Sequence, residues 1–455
     1  MPELEKLFSQ ISDVLWGPPL LILLFGTHVF LTLRLKFVQR FMGRAIQLSF
    51  DRTKENAGDI SHFGALMTAL AATIGTGNII GVASAVTLGG PGAVLWMWLT
   101  GIFGIATKYG EAVLSVTYRG KNAKGEFSGG PMYVIERGMK ARWLGILFAV
   151  FTAVAAFGIG NMVQANSISV MLKETMNISP WVSGAVMMAL AGVVIIGGIK
   201  SIAKACGYLV PVMAVFYVLG CLVVLVLKIN TIPDTIALII KSAFTGQAAV
   251  GGFIGAGLKE AMRYGVARGL FSNESGLGSA PIVAAAAKTK HPVEQALVSS
   301  TGTFWDTVVV CAMTGLVVVN SGDWSRGLGA ASLAKSAFSE IPLIGPLVLT
   351  VGLLTFVFST IIGWGYYGEK AVEYLFGLKA IPCYRWMWVA AVMVGSVATL
   401  PIVWSFADIA NALMAIPNLI SLIVLNKVII DQTERHLFTP FKRLRRLRDN
   451  NQEDR

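Results

Sequence analysis

The uncharged stretches of this chain are the feature that most restricts its fold. A helix needs roughly 20 apolar residues to cross the hydrocarbon core of a bilayer. Many stretches reach that length without a single Asp, Glu, Lys or Arg, among them residues 61–107, 143–172, 205–227, 341–368 and 386–407. The sequence therefore predicts an all-α, polytopic membrane protein.

The composition agrees with a membrane location and argues against other classes. Of the 455 residues, 55% are hydrophobic and only 14% are charged, fewer than ordinary soluble domains carry. The formal net charge is +12, but the basic residues lie mostly between the apolar stretches, so we expect no nucleic-acid partner. The four cysteines are far apart and lack metal-ligand spacing, so neither disulfides nor a metal centre is expected.

The apolar stretches predict eleven transmembrane helices. The first follows an acidic start at Glu3 and Glu5 and lacks a small-residue cleavage site, so it is predicted to be a true helix and not a signal peptide. The expected positions lie near residues 14–34, 62–87, 92–118, 143–171, 180–199, 205–228, 250–288, 293–319, 343–374, 386–405 and 408–430.

The distribution of lysine and arginine predicts the orientation, because positively charged loops stay in the cytoplasm. Segments rich in lysine and arginine alternate with segments that lack both. The basic segments are 34–54, 119–142, 200–204, 288–290, 370–385 and the tail 435–455; the poor ones are 88–92, 177–180, 321–323 and 401–405. We expect a protein of the cytoplasmic (inner) membrane with its N-terminus outside, its C-terminus inside and its basic tail near anionic lipid.

Polar residues interrupt two of the predicted helices. The second helix contains Ala71–Asn78, with two glycines, two threonines and an asparagine in an apolar surrounding. The seventh contains Phe271–Ser279, followed by the short apolar stretch Ala280–Ala287. Irregular backbone survives in lipid only where it is buried in protein or lines a cavity. We therefore expect two unwound segments around a central site.

The positions of these two breaks predict an inverted repeat. If the first helix is an addition, ten helices remain, and the breaks fall in the first helix of each set of five. The predicted regions are an N-terminal segment (1–58), two repeats (59–230 and 231–434) and a tail (435–455). Half-helix N-termini suit a carboxylate and freed carbonyls suit a small cation. Each break alone could be a glycine-rich packing kink, but two at matched positions favour a binding function.

Several motifs carry a resemblance to a known family. The most specific is GGPGAVLWMWL at residues 89–99, and further similarity lies in residues 59–63, 71–78, 158–164 and 271–281. Over nearly its whole length the chain resembles the alanine or glycine:cation symporter family, whose members have the LeuT-like inverted-repeat fold.

The resemblance implies sodium-coupled uptake of small neutral amino acids such as alanine and glycine by alternating access. Sodium would be the coupling ion, and no other cofactor is expected. The implied substrate-binding residues are Thr76, Gly77, Asn78, Gln164, Phe271, Asn273, Glu274 and Trp364. The implied sodium site consists of carbonyl oxygens near Ala71 and Ile74 and the hydroxyls of Ser359 and Thr360.

The residues alone leave alternatives open for several of these roles. Gln164 could bond a neighbouring helix, and Ser359 and Thr360 could each satisfy a preceding carbonyl of their own helix. Glu274 is equally consistent with capping the half-helix after it and with binding a ligand. Asp306, inside the eighth predicted helix, is a second intramembrane carboxylate whose role stays open.

Three other functions compete with sodium symport. A proton-coupled carrier with Glu274 or Asp306 as the titrating group is the nearest alternative. A channel would need a pore-lining ring or filter in place of two matched breaks. An enzyme would need a catalytic constellation, which the four scattered histidines do not provide.

Overall fold

The computed structural model describes residues 2–51, 57–245, 257–398 and 401–439, and these are almost wholly helical. The first half of the chain forms α1 (Pro2–Leu15), α2 (Pro18–Arg34), α3 (Met42–Ser49), α4 (His62–Thr73), α5 (Val82–Gly89), α6 (Ala93–Thr117), α7 (Pro131–Gly138), α8 (Arg142–Ala155), α9 (Val163–Met176), α10 (Pro180–Ile196) and α11 (Gly198–Leu227). The second half forms α12 (Ile232–Thr245), α13 (Leu258–Asn273), α14 (Pro281–Ala284), α15 (Pro292–Thr303), α16 (Ala312–Asn320), α17 (Ala330–Ser339), α18 (Ile344–Phe376), α19 (Ile381–Val397), α20 (Pro401–Val424) and α21 (Asn426–Thr433).

A hairpin, four π-helical turns and four short 3₁₀ helices complete the described chain. The 3₁₀ helices are Val38–Phe41, Ile229–Thr231, Asp323–Arg326 and Leu378–Ala380. A short antiparallel hairpin, β1 (Gly120–Lys121) and β2 (Phe127–Ser128), follows α6 and pairs Gly120 with Ser128. Four π-helical turns interrupt or extend helices, at Gly77–Gly81, Ala156–Met162, Phe304–Cys311 and Glu434–Phe438. Such turns are rare and occur frequently at functional sites.

The helices of the described residues include several that can cross a membrane by length and composition. Five do so alone: Arg142–Glu174, Gly198–Leu227, Pro292–Asn320, Ile344–Phe376 and Leu378–Val397. Three bent pairs raise the number to eight: Pro18–Arg34 with Val38–Ser49, His62–Thr73 with Gly77–Gly89, and Asp408–Val424 with Asn426–Phe438. Of the other predicted spans, α10 is shorter, α13 and α14 are divided, and α6 is long but contains Lys108 and Glu111, so the number eleven stays a prediction.

Several predicted loops are partly or wholly helical: 34–54 contains α3, 119–142 contains α7, and 200–204 lies inside α11. Residues 401–405, expected as an outer loop, form the first turn of α20, since Pro401 occupies a first-turn position where no backbone N–H is needed. Lys370, expected in a basic loop, lies inside α18, where it is buried and pairs with Glu373 at 2.8 Å. The basic tail beyond residue 439 lies outside the described residues.

The two broken helices lie at the centre of the bundle. α6 packs against α13 and α15, and α18 packs against α4 and α11. Small residues let these backbones approach closely, as is common between membrane helices. A Cβ at Gly363 would lie only 2.6 Å from the backbone nitrogen of Ala72. This contact brings the Ser359 and Thr360 turn of α18 beside the end of α4.

Candidate functional site

The first break separates α4 from the π-helical turn Gly77–Gly81 and bends the helix by 55°. Ile74 leaves the helical conformation with φ −77° and ψ 96°. The side chain of Asn78 replaces part of the lost helical bonding, because the N–H of Gly75 donates to its Oδ1 at 2.8 Å. Asn78 therefore holds the shape of the break, and the sequence placed this break correctly.

The second break follows α13. Glu274 adopts the left-handed conformation with φ 56°, and Gly276 and Gly278 have φ of 91° and 86°. The N–H of Ser275 donates to the Asn273 side-chain oxygen at 2.9 Å, and the next helix, α14, begins only at Pro281. The polar segment expected to unwind is thus a true interruption of the helix.

The two breaks meet. Glycine at position 77 permits this contact, because a Cβ there would lie 3.2 Å from the Phe271 ring and 3.3 Å from the Cα of Ser272. Thr76 and Asn78 are buried on the same segment, whereas Phe271 is only half-buried. The predicted residues of both breaks therefore share one region of the interior.

Two backbone carbonyls and two side-chain hydroxyls lie close together between the first break and α18. The Ser359 hydroxyl donates to the carbonyl of Ala71 at 3.2 Å, and that of Thr360 to the carbonyl of Ile74 at the same distance. Both hydroxyls also reach the carbonyl of Phe356 in their own helix, at 2.8 and 3.0 Å. The bond within the helix and the contact with the break therefore coexist. Neutral oxygens of this kind, freed from helical bonding and buried, suit a small hard cation.

Gln164 contributes a buried acceptor beside the first break. Its amide nitrogen donates to the carbonyl of Ile159 at 2.9 Å and to the Thr76 hydroxyl at 3.3 Å. Its Oε1 has no hydrogen-bond partner among the described residues. A Cβ placed on Gly75 would lie 3.5 Å from that oxygen, so the free acceptor faces the break. An orphaned buried acceptor is costly, and a ligand donor at this place would satisfy it.

Trp364 and Glu274 link α18 to the second break. The indole N–H donates to Glu274 Oε1 at 2.9 Å, and the Ser279 hydroxyl donates to Oε2 at 2.5 Å. Trp364 packs on Gly160, where a Cβ would lie 2.3 Å from the tryptophan Cβ. Glu274 therefore orders the second break and Trp364 together.

Asn273 is engaged in bonds inside the protein. Its amide nitrogen donates to the Thr307 hydroxyl at 3.1 Å, and its oxygen accepts the N–H of Ser275. The side chain is completely buried. In this structure Asn273 shapes the second break through its bonds to Ser275 and Thr307.

Asp306 has more partners than sequence reasoning assigned to it. It lies in the π-helical turn Phe304–Cys311, and its Oδ1 accepts from Asn78 at 2.7 Å. Its Oδ2 accepts from the hydroxyls of Ser272 at 2.9 Å and Thr307 at 2.7 Å. One carboxylate thereby joins both breaks.

Lys108 and Glu111 of α6 were not predicted as site residues. The Lys108 ammonium donates to the carbonyl of Asn273, the last residue of α13, at 2.7 Å. Glu111 Oε1 accepts the backbone N–H groups of Gly276 and Gly278 at 3.0 and 3.1 Å. These two charges, one turn apart, hold the two ends of the second break. Ionisable residues inside a predicted span were the signal that could have found them.

Backbone pairing closes the protein beyond α14. The N–H of Asp59 donates to the carbonyl of Ala286 at 2.8 Å, and the N–H of Lys288 to the carbonyl of Ile60 at 2.7 Å. Ile60 and Ala287 form a parallel bridge. The start of α4 is thus tied to the end of the second broken helix. On the α13 side of the break, in contrast, a cavity of about 100 Å³ reaches Phe271.

Arg119 reinforces this closure. Its guanidinium donates to the carbonyls of Ala285 at 2.9 Å, Ala287 at 2.8 Å and Ala57 at 3.0 Å. Arginine suits the task because its planar group offers several donors in a fixed fork. The three carbonyls come from both sides of the closed end.

Arg119→Gln is expected to loosen the closed end. Charge-assisted bonds of this kind are worth about 1.5–3 kcal/mol each, so amide hydrogen exchange in residues 57–61 and 281–288 should rise by roughly tenfold or more. Exchange in the middle of α6 should not change. Arg142→Gln, which removes an exposed guanidinium, is the control. Unaltered exchange at 281–288 would contradict a closing role for Arg119.

Comparison with known proteins decides the family. Residues 1–446 match the model of the sodium:alanine symporter family. The chain belongs to this family. AgcS of Methanococcus maripaludis, a sodium/alanine symporter, is 50% identical over 440 residues, covering 94% of this chain and 96% of AgcS. GlnT of Bacillus subtilis, named a probable sodium/glutamine symporter, is 37% identical over 431 residues, covering 94% and 89%.

Solved structures confirm the predicted fold class. MhsT in complex with L-phenylalanine superposes with a TM-score of 0.61 at 14% identity, covering 83% of this chain and 92% of MhsT. A manganese transporter of Eremococcus coleocola gives 0.51 at 12% identity, covering 85% and 77%. This symporter is a multi-pass helical membrane protein with the LeuT-like fold and two discontinuous helices. Its activity is amino-acid and cation symport, and it is not an enzyme.

Proposed function

We propose that this symporter couples sodium entry to uptake of alanine and glycine by alternating access. The main support for sodium coupling is the set of buried oxygens from Ala71, Ile74, Ser359 and Thr360, which links the first break to α18. A cation bound there holds together two elements that must separate when the site opens. Sodium binding thereby stabilises the arrangement of the break that receives the substrate.

The proposed substrate lies against the first break. Its carboxylate meets the segment Thr76–Asn78, where a helix restarts and its N-terminal end carries partial positive charge. Its ammonium donates to the free Oε1 of Gln164. Phe271 and Trp364 close the pocket around the side chain. The ring of Phe271 lies against Gly77 at the wall of this pocket.

The identity of the substrate follows from the relatives only in part. AgcS is named for alanine and GlnT for glutamine, and the chain is more similar to AgcS. We propose Asn273 and Glu274 as residues that shape the pocket, since the side-chain oxygens of both accept hydrogen bonds from the protein.

The proposed orientation follows the basic loops. The N-terminus lies outside and the C-terminus in the cytoplasm of the inner membrane, with repeats at 59–230 and 231–434. The closed end held by Arg119 then faces the cytoplasm, and the cavity at Phe271 faces outward. In this arrangement the protein is closed toward the cytoplasm.

The sodium site is tested by Thr360→Val in proteoliposomes with labelled alanine. Loss of one oxygen ligand is expected to raise the half-saturating sodium concentration by about tenfold or more. Thr355→Val is a matched control, because Thr355 lies on the same helix and, among the described residues, bonds only carbonyls of that helix. Equal sodium dependence of the two variants would remove this site from the mechanism.

Proton coupling is the second candidate, because Glu111, Glu274 and Asp306 are all buried near the breaks. The same vesicles distinguish the two ions. Accumulation driven by an inward proton gradient in sodium-free buffer, and lost in Glu274→Gln or Asp306→Asn, would replace sodium with protons. Sodium-driven accumulation without any proton-driven component is the expected result.

A further inference from the structure

A large apolar cavity lies on the side of the bundle, away from the breaks. We call it the lateral cleft; it has a volume of about 420 Å³ and lies between α3, α4, α11 and the π-helical turn Phe304–Cys311. Its volume falls within the range of about 300–1,000 Å³ that is typical of small-ligand sites. Ser49 is the one hydroxyl-bearing residue in its lining, and the others are apolar.

The lateral cleft opens toward the lipid. Phe50, Val215 and Leu219 on its edge are more than half exposed. α11, which forms one wall, is among the helices apolar enough to span the membrane. A ligand that enters from the hydrocarbon phase and matches an apolar wall is an acyl chain.

One end of the cleft is polar. Phe50 also borders a second pocket that contains Arg44, Gln47 and Asp51. α3 follows α2 after a 65° bend, so it leaves the spanning direction where the spanning helix ends. Residues 34–51 include four basic residues and one carboxylate, that of Asp51, and Arg44 is exposed and forms no ion pair with the described residues. This end matches an anionic headgroup at the membrane interface.

We propose that the lateral cleft binds one acyl chain of an anionic phospholipid, with the lipid phosphate at Arg44. The deep end of the cleft touches Leu70 and Ile74. The carbonyl of Ile74 accepts the Thr360 hydroxyl and is a proposed sodium ligand. The bound chain therefore contacts the first break from the lipid side and stabilises its geometry.

Native mass spectrometry of the purified protein with dioleoylphosphatidylglycerol tests the binding. Ala214→Phe fills the cleft and is expected to remove one bound lipid, whereas Val212→Phe, on the exposed face of the same helix and outside the cleft lining, should not. Arg44→Gln is expected to weaken retention about fivefold, the effect of one basic residue at an anionic surface. Lys241→Gln, which removes another exposed charge, is its control.

Three results would overturn the proposal. One is equal lipid retention by Ala214→Phe and the unaltered protein. Another is equal retention of dioleoylphosphatidylcholine and the phosphatidylglycerol. The third is a dimer in solution that Ala214→Phe dissociates without loss of lipid, which would show that a second copy covers the cleft. None of these readouts requires transport, so failure of the proposed function would be seen separately as absent alanine uptake.

Discussion

Replacing Lys108 by methionine is expected to destabilise the protein severely and to abolish uptake. The ammonium donates to the carbonyl of Asn273 and interacts electrostatically with Glu111, Glu274 and Asp306. Its loss leaves three buried carboxyl groups without this cation and a helix-terminal carbonyl without this donor. Removal of one partner from a buried charged network costs about 3–5 kcal/mol. Thermal unfolding in detergent, followed by size-exclusion chromatography, measures the loss.

A second variant separates charge from packing. Lys108→Met combined with Glu274→Gln is expected to regain part of the thermal stability, because one of the uncompensated carboxylates is gone. Uptake should stay absent, since Glu274 also orders Trp364. Lys241→Met is the control for loss of an exposed lysine. If Lys108→Met unfolds at the temperature of the unaltered protein, the ammonium does not hold the second break.

The breaks themselves could be predicted because their signal is local. Glycine and small polar residues stand inside apolar runs, and the structure unwinds the chain at Ile74 and again after Asn273. The pairing of Ser359 and Thr360 with the first break came from family resemblance alone. Helical periodicity cannot tell which face of α18 meets a distant segment.

Lys108 and Glu111 were missed for a different reason. Both lie inside the predicted helix 92–118, just beyond the uncharged stretch 61–107, where a charged residue ordinarily marks the end of an apolar run. A buried charge in a membrane helix is expensive and therefore informative. Lys108 lies three residues before Glu111, on the same face of the helix. This spacing would have suggested that both side chains have partners in one neighbouring segment.

Other parts of the site have no local signal. Three of the four π-helical turns lie beside the breaks, at Gly77–Gly81, Ala156–Met162 and Phe304–Cys311. Two of them contain glycine and asparagine, which mark an irregular segment but do not specify a π-helical turn, so tertiary contacts select the wider turn. α14 likewise stops at Ala284, earlier than the apolar stretch to Ala287 implied. The carbonyl of Ala286 bonds instead to the N–H of Asp59, a partner distant in sequence.

Asn78→Ala is expected to reduce alanine binding and uptake to background. The amide accepts the N–H of Gly75 and donates to Asp306, so one side chain fixes the first break and joins it to the π-helical turn Phe304–Cys311. Without it, a buried carboxylate oxygen loses a donor and the break loses its internal bond. The combined cost of about 3 kcal/mol corresponds to roughly a hundredfold loss of affinity. Equilibrium binding of labelled alanine in saturating sodium measures it directly.

Asn166→Ala is the matched comparison for this effect. Asn166 also donates from its amide to two backbone carbonyls, those of Gly395 and Ala398, but it lies away from the breaks. Both variants lose bonds to the interior, so both should unfold at lower temperature, and only Asn78→Ala should lose binding while still folded. If Asn78→Ala binds alanine with an affinity within threefold of the unaltered protein, the break keeps its shape without Asn78. A threefold change is less than the tenfold change that corresponds to about 1.4 kcal/mol. The substrate would then be held by Gln164, Trp364 and the other residues of the proposed pocket.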